Sequence, residues 1–152
     1  MKKTLHELSI AECAREIASG AVSPVELTEA CLSVIETHNP DVNAFLDVTV
    51  DLARTQARAA EEEIHRIGSR SPMHGVPFAL KDIYDTRGIA TTGHSALYRQ
   101  RIPAEDSACT ERLYSAGAVL LGKLATHEFA TGGPAYDLPW PPASNPWLLD
   151  RF

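Results

Sequence analysis

Apolar positions recur at helical spacing over the first part of the chain. Ile10, Cys13, Ala14, Ile17 and Ala18 fall on one face behind Ser9, a residue type that caps helices, with Gly20 placed to stop the helix. Ser23 followed by Pro24 reads as a cap and first-turn proline. Leu27, Cys31, Val34, Ile35 and His38 then form a second stripe that the pattern ends before Asn39-Pro40. "AFLDV" is a short extended piece, and from Asp51 the residues Ala53, Ala57, Ala60, Ile64 and Ile67 share a face up to Gly68. That stripe is mostly alanine, so its value lies in close approach to a neighbour rather than in buried area.

After "GSRSP" the texture changes. "VPFALK" reads as a strand, "DTRG" as a turn and "IATTGHS" as a polar connection. Asp106 or Ser107 starts another helix carrying Cys109, Leu113 and Ala116, which Gly117 ends. "AVLLGK" is then an apolar strand too dense for a solvent-facing edge. Helix and strand alternate as in an α/β sheet with parallel pairing. From Gly133 the chain holds both tryptophans and five of the ten prolines. This predicts an irregular, extended loop in which Trp140 and Trp147 would forgo about 1.5–3 kcal/mol each if left in water, and which therefore docks on further structure.

The organisation expected is a helical region over 1–68, a strand and helix region over 69–132, and a Pro/Trp-rich loop over 133–152. All three belong to one domain, and the 152 residues carry no internal repeat. A formal net charge of −6 with scattered basic residues speaks against nucleic-acid or anionic-membrane binding. Three cysteines, Cys13, Cys31 and Cys109, show no CxxC spacing, and two N-terminal lysines have no apolar stretch behind them. A reduced cytoplasmic protein without a membrane span is expected.

Candidate chemistry narrows by residue type. The histidines, His6, His38, His65, His74, His94 and His127, include no HExxH pair, so no metal site and no cofactor are predicted. There is no GxSxG elbow, and "AGAVLLGK" lacks the spacing of a phosphate loop. The acidic run Glu61–Glu63 reads as a solvated face. What remains is lysine. Lys81 and Lys123 each end an apolar run, where an ammonium is costly to desolvate, and the pattern alone does not choose between a reactive amine and a salt-bridged or snorkelling one.

Three ordered blocks break the tie: "PMHGVPFALKDIYDTRGIATTGHSALY", "AEDSACTERLYSAGAVLLGKLATHEFATGG" and "NPWLLDR". Together they resemble the N-terminal part of amidase signature enzymes, a family that includes aliphatic and aryl amidases and the A subunit of the aminoacyl-tRNA amidotransferase. The resemblance implies an α/β fold, a mixed β-sheet flanked by helices, incomplete in this chain. It implies hydrolysis of a small-molecule amide, with Lys81 as the base of a Ser–Ser–Lys triad and with Ala130 and Thr131 beside the acyl pocket. Lys123 matches a block that the family does not use as the base. It leaves open as partners a second copy of the chain or the other amidotransferase subunits, with no direct nucleic-acid binding.

A lysine base must be a neutral amine near pH 7, against a free value of about 10.4, and a dry apolar pocket is what lowers it. The apolar run before Lys81 is expected to supply that pocket. Asp82 would oppose it if it touched the amine. Adjacent strand residues point to opposite faces, so Asp82 is expected to serve the fold without pairing with Lys81. The family's Gly/Ser-rich "GGSSGGS" segment, with both serines and the oxyanion-hole backbone, follows an "NPW…R" block; Ser69, Ser71, Ser95 and Ser144 lie in no such setting. Leu148 and Phe152 also depart from the family's usual residues there. A truncated amidase, inactive alone, is the expectation, with the amidotransferase A subunit and a non-catalytic remnant or interaction module as the alternatives.

Overall fold

The computed structural model describes residues 3–151; Met1 and Lys2 of the basic start and the departure at Phe152 lie outside them. Within the described residues, four α-helices and three strands follow in the order α1 (Ile10–Ala18), α2 (Pro24–Val42), β1 (Phe45–Val48), α3 (Val50–Ile67), β2 (Pro77–Lys81), α4 (Ala108–Ser115) and β3 (Val119–Leu124). The strands form one sheet in the order β1-β3-β2. β1 runs antiparallel to β3, pairing Phe45 with Leu124, Asp47 with Lys123 and Val48 with Gly122. β2 is parallel to β3, because Val119 N–H donates to the Val76 carbonyl and Asp82 N–H to the Leu124 carbonyl, both at 3.0 Å. The sheet is therefore mixed, as the resemblance implies; the parallel pairing expected from the alternation of helix and strand holds for β2 and β3 but not for β1, which is antiparallel.

Two compact units are distinguished. The first comprises the chain up to Ile35, Thr49–Phe78 and Arg112–Leu121. Its α1 begins with a reciprocal cap: Glu12 N–H donates to Ser9 Oγ at 3.3 Å, and Ser9 N–H donates to the Glu12 carboxylate at 2.7 Å. Lys3 and Ser9 hold that carboxyl well down, at about 2. Cys13 and Ile17 from α1, Leu27 from α2 and Val76 form a buried cluster.

The alanine stripe of α3 is closed from solvent, with Ala53, Ala57 and Ala60 buried, whereas Ile67 at the end of the pattern is exposed. Beside the stripe, Gln56 Oε1 accepts the Leu120 N–H at 2.8 Å, tying α3 to β3. Arg54 binds Glu29 in bidentate fashion at 2.7 and 2.9 Å, tying α3 to α2. The acidic run departs from a purely solvated face. Glu61 accepts from Ser23 Oγ, and Glu63 pairs with Arg70 at 3.0 Å, leaving Glu62 exposed. Buried His74 accepts the Arg70 N–H on Nδ1 at 3.2 Å. Gly117, at φ 85°, leaves room for its ring, since a Cβ there would overlap His74 Cδ2.

The second unit comprises Glu36–Val48, Ala79–Glu111 and the chain from Gly122 onward. Here α2 does not stop before Asn39-Pro40 but continues to Val42. The Asn39 side chain brackets Phe45, accepting its N–H at 2.7 Å and donating to its carbonyl at 3.1 Å. Asn43 N–H still donates to the Asn39 carbonyl at 2.8 Å, so the helical turn closes around the proline, whose ring forfeits a single donor. Gly122 admits β1: a side chain on it would collide with the Asp47 carbonyl oxygen. On α4, Cys109 is exposed and Thr110 is the buried residue, because its hydroxyl donates to the Asp85 carbonyl at 2.8 Å. The tail after Gly133 contains no helix or strand; Trp147 is 93% exposed and Trp140 half-buried.

Candidate functional site at the end of strand β2

β2 ends by placing two ionisable side chains in succession, and they meet opposite environments. Lys81 is exposed, and Asp82, the next residue, is buried. Lys81 lines a cleft of about 510 Å³ with Ala125, Thr126, His127, Pro134, Pro142 and Ala143. Asp82 lines a second cleft of about 500 Å³, together with Asp85, Tyr98, Arg101 and Phe129. The expectation of a dry Lys81 is therefore corrected. The apolar run buries Leu80, while the following side chain emerges on the other face of the pleat, where solvent reaches it.

The desolvated amine is that of Lys123, which is wholly buried. Its Nζ donates to Thr91 Oγ1 at 2.6 Å, to the Tyr84 carbonyl at 3.1 Å and to the Ala90 carbonyl at 3.4 Å. These neutral acceptors use all the protons of an ammonium. Asp82 Oδ1 lies 3.0 Å from the same nitrogen, so a carboxylate charge joins these neutral acceptors. Asp82 Oδ2 accepts from Thr92 N–H at 2.9 Å and Thr92 Oγ1 at 2.6 Å. Burial pushes the Lys123 amine below the usual lysine range, and Asp82 opposes that push. Asp82 thus pairs with Lys123 and forms no ion pair with Lys81.

A residue to which the sequence pattern assigns no role organises the cleft. His94, buried and at φ 58°, accepts the Thr126 N–H on Nδ1 at 3.3 Å. Its other nitrogen must then carry the proton, which Nε2 donates to the Trp140 carbonyl at 3.1 Å. The His94 and Trp140 rings also meet edge to face at 5.8 Å. His94 therefore links the Lys81 cleft wall at Thr126 to the proline-rich tail that supplies Pro134 and Pro142. Its signal in the sequence is slight: a histidine after glycine in a polar stretch, with no local partner.

Ala130 ends a short turn, Glu128–Ala130, and Thr131 follows it; neither is among the residues lining the Lys81 cleft. Phe129 and Ala130 both take positive φ, 48° and 60°, a costly backbone for residues with a Cβ. Phe129 N–H donates to the Gly93 carbonyl at 2.8 Å, and Ser95 Oγ donates to Glu128 at 2.7 Å, which hold the turn in place. Among the described residues no group of three His, Cys, Asp or Glu side chains is placed to hold a metal ion, and no helix is long and apolar enough to cross a membrane.

Comparison with known proteins bears on this geometry. The sequence profile of the family described as Amidase matches residues 26–152. The chain is 41% identical over 149 residues to the A subunit of glutamyl-tRNA(Gln) amidotransferase from Anaeromyxobacter sp. (strain K), covering 98% of this chain and 30% of the relative. It is 43% identical over 146 residues to the protein of that name from Streptomyces coelicolor (strain ATCC BAA-471 / A3(2) / M145), covering 96% and 29% respectively. A solved structure described as "Crystal structure of amidase" superposes with a TM-score of 0.79 at 30% identity, over 91% of this chain and 31% of that one. Fatty acid amide hydrolase superposes at 0.89 with 23% identity, over 95% of this chain and 26% of that one, a likeness of fold alone. The chain spans about 30% of the length of the curated relatives it matches.

Proposed function

The chain belongs to the amidase family, and from that premise we propose that it is the lysine-bearing N-terminal part of an enzyme like the A subunit of glutamyl-tRNA(Gln) amidotransferase. The observation that carries this reading is the identity to proteins of that name, which runs over nearly the whole chain. An amidotransferase moves the nitrogen of a carboxamide, so the first half of its reaction is amide cleavage, the chemistry of the family at large. A second reading, an amidase acting on non-peptide C–N bonds with water as the only acceptor, is favoured by the likeness at 30% identity to a solved amidase.

In either reading Lys81 is the base. Its neutral amine takes the proton of a bridging serine, which takes that of a second serine as the latter attacks the amide carbon; the nitrogen leaves as ammonia or an amine. Backbone N–H groups stabilise the oxyanion. The serines belong to a Gly/Ser-rich segment that the 152 residues do not contain. Lys81 is exposed in an open cleft, so this reading requires the part of the enzyme that carries the serines also to cover the amine and dry it. Ala130 and Thr131, on the strained turn, are proposed to contact the acyl group. Partner subunits and a tRNA acceptor belong to the first reading only.

A chimera tests the proposal. Residues 26–152 replace the matching part of the Streptomyces relative, and ammonia release from glutamine and amide transfer to glutamyl-tRNA are measured. Turnover that falls about 10²–10⁴-fold on Lys81→Ala is the expected result, and turnover indifferent to that substitution overturns it. Ammonia release without transfer selects the second reading. The 152-residue chain alone should release none.

A further inference from the structure

We propose that Lys123 is the charge compensator of Lys81: its buried ammonium cancels the Asp82 carboxylate, so that the Lys81 amine meets no net negative charge across the end of β2. This rests on the reading of Lys81 as base and adds a residue to it.

Lys81 and Asp82 are neighbours whose Cα atoms stand about 3.8 Å apart. Pointing to opposite faces removes contact between them but not the field of the buried carboxylate, which reaches the exposed amine weakened by the water around it. An uncompensated anion there would hold the proton on Lys81, the reverse of what a base requires.

The compensation is specific. Asp85, nearby in the second cleft, is already neutralised by Arg101 through contacts of 2.6 and 2.7 Å, and Asp47, opposite Lys123 in the ladder, is exposed to solvent. Asp82 is the buried carboxylate, and Lys123 is the cation within 3.0 Å of it. The ammonium spends its protons on Thr91, Tyr84 and Ala90, and what it gives Asp82 is charge.

The test reads the Lys81 amine directly in the 152-residue chain, without turnover. Limiting N-acetoxysuccinimide is added at pH 8 and low salt; the neutral amine attacks the ester carbonyl, N-hydroxysuccinimide leaves and buffer takes the proton. Peptide mass mapping gives the Lys81 rate against Lys3 as internal reference. Lys123→Met should slow Lys81 about two- to fourfold, Asp82→Asn should speed it by a similar factor, and the double variant should return it to the original rate. Lys123→Arg, which keeps the charge, should leave it unchanged, and 0.5 M salt should shrink every difference.

A purely structural role moves both single variants the same way. That result, or a Lys81 rate indifferent to both, overturns the proposal. Should Lys123→Met lose cooperative unfolding, Asp82→Asn decides alone by its sign, because asparagine keeps the size and an oxygen for Thr92. Failure of the base reading would show elsewhere, as a chimera whose turnover survives Lys81→Ala.

Discussion

Lys123 Nζ and Asp82 Oδ1 lie 3.0 Å apart with neither side chain open to solvent, and the residue before Asp82 is the one lysine of the pair that solvent reaches. A buried pair of this kind contributes little net stability, since desolvation offsets attraction, yet removing one partner strands the other.

Lys123→Met should therefore cost about 3–5 kcal/mol, most of it the stranded Asp82. Adding Asp82→Asn should recover a large part of the loss, which urea unfolding of both variants would measure. Equal stability of the single and double variants would contradict the pairing.

His94→Ala removes an acceptor for Thr126 N–H and a donor for the Trp140 carbonyl. A loss of about 1–3 kcal/mol is expected. The specific sign is local: faster amide exchange at Thr126 and red-shifted emission from Trp140, read in a Trp147→Phe background so that the exposed indole does not mask it.

The pH dependence of stability should carry the mark of His74. Burial, with Arg70 adding to it, holds this imidazole below its ordinary value of 6.5, against a weaker upward pull from Glu63. Below that value the unfolded chain takes up a proton that the folded chain resists. Stability is then fully present above about 6.5 and declines as pH falls towards the folded value. His74→Gln should flatten this part of the profile in denaturant midpoints measured from pH 8 down to 5.

Ala57→Leu places a larger side chain on the closed face of α3. Overpacking of about 1–3 kcal/mol should follow, whereas Glu62→Leu, on the exposed face, should change stability by less than about 0.5 kcal/mol. Thermal melts of the two variants separate the faces.

The helix starts are legible in the sequence because their causes are local. Ser9 with Glu12, and Ser23 with Pro24, lie within a turn of one another, and the structure forms both as the pattern indicates. The sheet is legible from the density of apolar residues in "AVLLGK" and "VPFALK". What the pattern does not carry are choices settled by partners distant in sequence. Thr110 rather than Cys109 turns inward because the Asp85 carbonyl accepts its hydroxyl. Which of two lysines is buried depends on Asp82, Thr91 and the carbonyls of Tyr84 and Ala90 converging on one point, and the residues flanking Lys123 do not encode that. Placing Lys81 comes instead from block resemblance, and the role of His94 has only a slight local sign.

The alternation at the end of β2 makes parity a constraint on this strand. Deleting or inserting one residue between Pro77 and Leu80 would leave its composition and apolarity nearly intact, yet would turn the carboxylate into the open cleft and bring a second ammonium up against Lys123. Length variation there should thus be tolerated in steps of two residues and not of one.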